Sequence, residues 1–366
     1  MSRSVVPTLV LALVPFAARA QDADGWRTDF SRHSVPLAEI VSGGPPKDGI
    51  PAVDRPRFVT VRQADRWLVN REPVVAVSIG GETKAYPLQI LIWHEIVNDA
   101  VGGVPVVVTF CPLCNTALAF DRRHRERLLD FGTTGRLRHS DLVMYDRQTE
   151  SWWQQATGEG IVGAFAGDRL SFVPAPVVSW ETFKGAYPDG QVLSRDTGHD
   201  RPYGRNPYRG YDAEGAGPIP GFARRSADDR LPAMERVAAV RLGDETVAYP
   251  FTLLSDRRVV NDAVAGRPIV VLWRAGTASA LDRAEIAQGR DVGSTGVFDR
   301  RIDGTSLTFA ADAGGRFRDR ETRTTWDILG RAVSGPLAGR QLDPIQHGNH
   351  FWFAWGVFQP NTRVAR

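Results

Sequence analysis

Beyond residue 70 the chain runs as short apolar stretches punctuated by glycine, the pattern of strands joined by tight turns. Val74-Val75-Ala76-Val77-Ser78-Ile79, the pair Gly80-Gly81 and the stretch 82–86 predict one hairpin. Pro87 opens a short helix or turn through Ile92, and Gly102-Gly103 joins the stretches 95–101 and 104–110 into a second hairpin. Further short strands are expected at 117–120, 128–131 and 142–145, with a short helix at 180–187. The fold class is α+β, mainly antiparallel β.

The pattern occurs twice. Val75-Ala76-Val77 to Tyr86-Pro87, Val97-Asn98-Asp99-Ala100-Val101 and Pro105-Val106-Val107-Val108 return 163 positions later. The second copies are Ala238-Ala239-Val240 to Tyr249-Pro250, Val260-Asn261-Asp262-Ala263-Val264 and Pro268-Ile269-Val270-Val271. Past a two-residue deletion, Thr116-Ala117 answers to Thr277-Ala278. Further on, Tyr145-Asp146-Arg147-Gln148-Thr149 and Trp153 answer to Arg318-Asp319-Arg320-Glu321-Thr322 and Trp326. Two homologous β-rich units of about 130 residues are expected to pack as a pair, since stacked arrays need three or more repeats. The resulting division is a signal peptide at 1–20, an extended lead-in at 21–70 and a first unit at 71–195. A Gly/Pro/Tyr-rich connection at 196–231 and a second, degenerate unit at 232–366 complete it. Tyr203, Tyr208 and Tyr211 of the connection are expected to pack on the first unit.

Paired by the two-residue turn, strand partners in the second hairpin have numbers that sum to 205, which sets Val97 opposite Val108 and His94 opposite Cys111. Directly opposed side chains lie about 5 Å apart, so imidazole and thiol would touch. In the second copy His94, Glu95 and Cys111 are replaced by Arg257, Arg258 and Arg274, and the deletion removes Cys114. The scaffold is kept and the potential ligands are not, which favours a site confined to the first unit.

Composition narrows the class. With 42% hydrophobic and 24% charged residues among 366, the chain is globular, not disordered, collagenous or multi-span. Its formal charge is +3, yet Lys47, Lys84 and Lys184 are the only lysines and the arginines form no run. Nucleic acid is therefore not expected as a partner, because it needs a clustered basic face. Arg3, the apolar stretch 5–18 and Ala18-Arg19-Ala20 read as a cleavable export signal, too short to span a bilayer. Its loss takes Arg3 and Arg19 and leaves +1. The mature protein is expected to be soluble, periplasmic or secreted, without an integral membrane segment, and partnered by a small molecule or an envelope protein. That compartment is oxidising, and two cysteines are too few for a disulfide scaffold.

Cys111-Pro112-Leu113-Cys114 has the spacing of both redox dithiols and metal knuckles. With His94, and His350 or His347 as a fourth ligand, it would suit copper(I) or zinc. This metal site is the leading reading. The first alternative is a thiol enzyme, either a thiol/disulfide oxidoreductase or a nucleophilic Cys111 with His94 as base and the Asn115 or Thr116 amide as oxyanion donor. A thioredoxin-type dithiol is not expected, since 115–121 reads as turn and strand. The second alternative is a non-catalytic envelope binding module in which Cys111 and Cys114 form a structural disulfide.

Longer motifs carry a family resemblance. The run 42–51, Ser-Gly-Gly-Pro-Pro-Lys-Asp-Gly-Ile-Pro, together with His94-Glu95-Ile96-Val97-Asn98-Asp99 and Phe110-Cys111-Pro112-Leu113-Cys114, resembles the prokaryotic family catalogued as domain of unknown function 3179. The run 145–151 and the closing Phe351-Trp352-Phe353-Ala354-Trp355 fit it too. The resemblance spans nearly the whole mature chain and brings no activity with it. It implies that some members have threonine at the position of Cys114, which makes Cys111 with His94 the more basic unit.

Other residues read as structural. Trp152-Trp153-Gln154-Gln155 is expected to place one indole in the core and one amide near the site. Asp48 and Asp54 are expected to cap backbone in the lead-in, and Asn98-Asp99 with Asn261-Asp262 to serve the fold. His33, His124 and His199 are expected at the surface, and His139 has no assigned role.

Overall fold

A computed structural model describes residues 25–222 and 228–366, so the predicted signal at 1–20 lies outside the described residues. Antiparallel strand is the main regular structure, and among the described residues no helix exceeds seven residues. A lead-in strand, β1 (Ile40–Ser42), precedes the hairpin β2 (Pro73–Ile79) and β3 (Glu82–Pro87), whose register puts Gly80-Gly81 in the turn. The helix α1 (Leu88–His94) follows, then β4 (Ile96–Val101), β5 (Val104–Cys111) and β6 (Thr116–Asp121). Val97 faces Val108 and Val101 faces Val104, the register expected from the turn. Gly102 has a left-handed φ of 54°, and a Cβ there would lie 2.2 Å from the Ile79 carbonyl, so only glycine fits.

The next sheet is built from β7 (Phe131–Arg138), β8 (Asp141–Asp146), β9 (Trp152–Gln154) and β10 (Glu159–Val162), with β1 on its free edge. The lead-in is fastened over the first unit, Asp48 N–H donating to the Thr133 carbonyl and Val53 N–H to the Ile96 carbonyl. Asp48 also accepts a bond from the Tyr145 hydroxyl, and Arg147 pairs with Asp54 at 3.1 Å, so both acids tie the lead-in to β8 and the turn after it.

Farther along, the same order returns in β11 (Arg236–Leu242), β12 (Glu245–Pro250), α2 (Phe251–Arg257), β13 (Val259–Val264), β14 (Arg267–Arg274) and β15 (Ser294–Asp299). The register sets Ser294, not Thr277, in the place of Thr116, and a longer loop at 275–293 replaces the expected two-residue deletion. Hydrogen bonds return with it. The Asn98 side chain brackets the Phe131 backbone at 2.8 and 2.9 Å, and Asn261 brackets Phe309 at the same two distances. Tyr86 donates to Asp99 as Tyr249 does to Asp262, and the Trp153 indole to Asp146 as Trp326 does to Asp319. These Asn, Asp and Trp residues hold the fold. The two halves share a core in which Phe351 and Phe353 pack with Phe110 and Leu113. They also meet where β16 (His347–Phe351), paired with β11, packs against β6. No helix among the described residues is long and apolar enough to cross a membrane.

Candidate functional site

Cys111 ends β5, and Pro112–Cys114 forms a single 3-10 turn before Asn115 takes a left-handed conformation (φ 54°). The turn folds the chain back so that Cys111 faces Thr116 across β5 and β6, with both cysteines free and buried at the sheet end. A third group arrives from a distant hairpin. Arg138 faces Asp141, which leaves His139 and Ser140 as a two-residue turn, both with positive φ (55° and 67°). Such turns prefer Asn-Gly, and two ordinary side chains there store strain of about 1 kcal/mol or more each. That turn presents the Ser140 carbonyl to the Cys111 thiol at 3.5 Å and the Asp141 carboxylate to the Cys114 thiol at 2.9 Å. The buried Ser140 hydroxyl has no hydrogen-bond partner. His139 thus has a place after all, in the strained turn that aims Asp141.

The two thiols and Asp141 offer ligand atoms that lie within 4.8 Å of one another, all buried. Asp141 also accepts from the Ala156 N–H (2.8 Å) and the Gln154 amide (2.5 Å), the amide expected near the site. Burial pushes the Asp141 carboxyl up to about 6 against these bonds. Burial likewise raises both thiols, and the Asp141 charge adds to each. Beside them Glu95 is pushed up to about 8, first by burial and then by Asp141. The Glu95 side chain makes no hydrogen bond among the described residues and lines a cavity of about 140 Å³ with Leu113, Leu142 and Tyr208. Tyr211 closes the other side, its hydroxyl donating to the Leu113 carbonyl at 2.7 Å. Of the connection's tyrosines, Tyr208 and Tyr211 pack over this site and Tyr203 over His94.

His94 does not face Cys111. It is the last residue of α1, and Glu95 caps that helix in a left-handed conformation (φ 59°), so the strand begins only at Ile96. The cap turns Glu95 toward the thiols and His94 toward the lead-in. The His94 Nδ1–H donates to the Pro51 carbonyl at 2.7 Å, and Nε2 accepts from the Tyr203 hydroxyl at 2.7 Å. Burial pushes this imidazole down to about 4, so it is neutral with its lone pair already taken. His350 lies elsewhere too. Its Nδ1 meets the Thr116 hydroxyl at 2.8 Å, and with His347 it lines a separate cavity of about 290 Å³ between the halves. His124 is largely buried, its Nε2 2.8 Å from Asp168 and its ring against Trp153 and Phe165, because the loop at 165–168 folds over it.

Asp141 and Glu95 were not picked out by spacing. One signal marks them: like Cys111, each has a different residue at the matching position of the second half, Arg258 for Glu95 and, counting back from the Asp146/Asp319 match, Gly314 for Asp141.

Fold and site together define a β-rich protein with a buried cluster of thiol and carboxylate groups. The chain belongs to the family described as Protein of unknown function (DUF3179), whose model matches residues 47–362. No curated protein and no solved structure matches it.

Proposed function

We propose that this is an exported protein, built from two copies of one duplicated unit, whose first unit binds a divalent transition metal through Cys111, Cys114 and Asp141. One observation carries the reading: three ligand atoms of suitable chemistry converge within 4.8 Å in a buried place. The charges acting on Cys111, Cys114 and Glu95 are those of acids or of the other thiol. A bound cation would supply the missing countercharge and allow both thiols to ionise. The donor set selects among metals. Two thiolates with a carboxylate make a borderline set that suits zinc better than copper(I), which favours all-soft ligands. Three protein ligands leave a fourth position for water or a small molecule, as in zinc sites that do chemistry. Glu95, protonated at neutral pH, would offer a hydrogen bond to whatever enters the neighbouring cavity.

Elemental analysis with free-thiol counting on protein taken directly from the envelope fraction tests this. The expected result is about one equivalent of zinc in the parent and none in Cys111→Ser. Absence of uptake at about micromolar metal would end the proposal. The second reading, thiol redox or nucleophilic chemistry, is favoured by two free neighbouring cysteines. Against it, burial and neighbouring acids raise both thiols, and the hydrogen bonding with Cys114 that favours the Cys111 thiolate does not offset them, whereas that chemistry requires a lowered thiol pKa.

A further inference from the structure

The half of the chain without cysteines has a cavity of its own. It measures about 250 Å³ and is lined by Arg258, Trp273, Arg274, Gly314, Gly315 and Arg316. By the sequence correspondence these occupy the places of Glu95, Phe110, Cys111, Asp141, Leu142 and Val143. Where the first half gathers acids, the second gathers three guanidinium groups, and no acid lines the cavity. Arg258 and Arg316 form no ion pair among the described residues. Arg274 is steadied only by the Thr182 hydroxyl at 3.4 Å and by the exposed Glu181, 3.9 Å away. The Trp273 ring forms one wall, with its indole N–H buried against Gly293. A Cβ on Gly315 would come within 2.9 Å of the Arg274 Nε, so this glycine leaves the guanidinium its place. Arg258 is delivered as Glu95 is, by a left-handed cap (φ 61°) on a seven-residue helix.

We propose that this second cavity binds a tetrahedral oxyanion, the phosphate or sulfate group of a small molecule, through Arg258, Arg274 and Arg316. Three cations lining one cavity, met only by an exposed acid 3.9 Å from Arg274, repel one another, and a polyvalent anion relieves all three at once. A tetrahedral oxyanion spreads its acceptor oxygens in three dimensions, which suits donors arriving from separate elements; a carboxylate offers one plane and is satisfied by one fork. The space beyond the anion, beside the Trp273 ring, takes the apolar remainder of the ligand.

Isothermal titration of the full-length mature protein with inorganic phosphate, phenyl phosphate, phenyl sulfate and acetate tests this. Phosphate and the phenyl esters should bind more tightly than acetate, and weaken as salt rises from about 50 to 200 mM. Arg258→Gln and Arg316→Gln, at exposed positions that leave the core untouched, should each raise the Kd at least about tenfold. Cys111→Ser should leave it unchanged, which separates this site from the metal site. Preference for phenyl phosphate assigns the group as phosphate and the reverse as sulfate, and either supports the site. No heat at about 10 mM phosphate, or equal affinity in the arginine variants and the parent, overturns it.

Discussion

Cys114 and Asp141, 27 residues apart in the chain, are joined by a thiol-to-carboxylate hydrogen bond of 2.9 Å in a place closed to water. If that carboxylate is a metal ligand, Asp141→Asn keeps the shape and removes the charge, and zinc affinity should fall about tenfold or more. His94→Ala should leave the zinc stoichiometry at the parent value. Competition with a chromophoric chelator reads both, and loss of zinc in the histidine variant would restore the imidazole as a ligand.

Buried thiols with raised pKa values are poor nucleophiles. Iodoacetamide should label neither cysteine of the folded, metal-free protein at mildly acidic pH. Tyr208→Ala, which removes part of the roof beside Glu95, should speed labelling of Cys111 severalfold without making it acid-reactive. Rapid labelling of the parent at about pH 6 would favour the thiol enzyme instead.

Two histidines make stability depend on pH. Burial holds His94 down to about 4 and His350 down to about 3. Their denatured forms titrate near 6.5, so the contribution of each is complete above that value and is lost as pH falls, by about 1.4 kcal/mol per pH unit. Glu95 and Asp141 act in the opposite sense in the metal-free protein. Raised to about 8 and about 6, they favour folding at low pH and cost stability as pH rises. The difference between parent and variant isolates one group. Between pH 7 and pH 5, urea unfolding of His350→Gln should lose about 2 kcal/mol less than the parent.

The connection is clamped to the second half by charge. Arg236, buried, donates to Asp212 and to the Ser279 hydroxyl, while Arg290 reaches Asp212 at 3.0 Å. Burial alone would raise the Asp212 carboxyl, yet Arg236, Ser279 and Arg290 hold it below its usual value. Asp212→Ala leaves a buried guanidinium without its partner and should cost about 3–5 kcal/mol in thermal or urea unfolding. Part of that stability should also fade in the parent as pH falls from about 4, where the denatured carboxylate titrates, toward the lower pH at which folded Asp212 takes up its proton.

Strands and turns were legible because alternation and paired glycines act over neighbouring residues, as the Val101 and Val104 pairing across Gly102-Gly103 illustrates. The cysteine pair was legible for the same reason. Asp141 was not, since a strained His139-Ser140 turn carries it to Cys114 and neither residue has the chemistry that announces such a turn. His94 was misplaced by one residue's backbone. Glu95 adopts a left-handed cap that strand patterning does not reveal, and that single rotation turned the expected imidazole away and brought an acid in.

The left-handed cap that ends each seven-residue helix, Glu95 in one half and Arg258 in the other, is occupied by an ordinary side chain in both. The backbone therefore acts as a fixed address: whatever residue stands there is delivered to the wall of the adjoining cavity. Chemistry at such a position can be rewritten by one codon without disturbing the strands around it. A chain carrying two of these addresses can hold one specificity while another drifts.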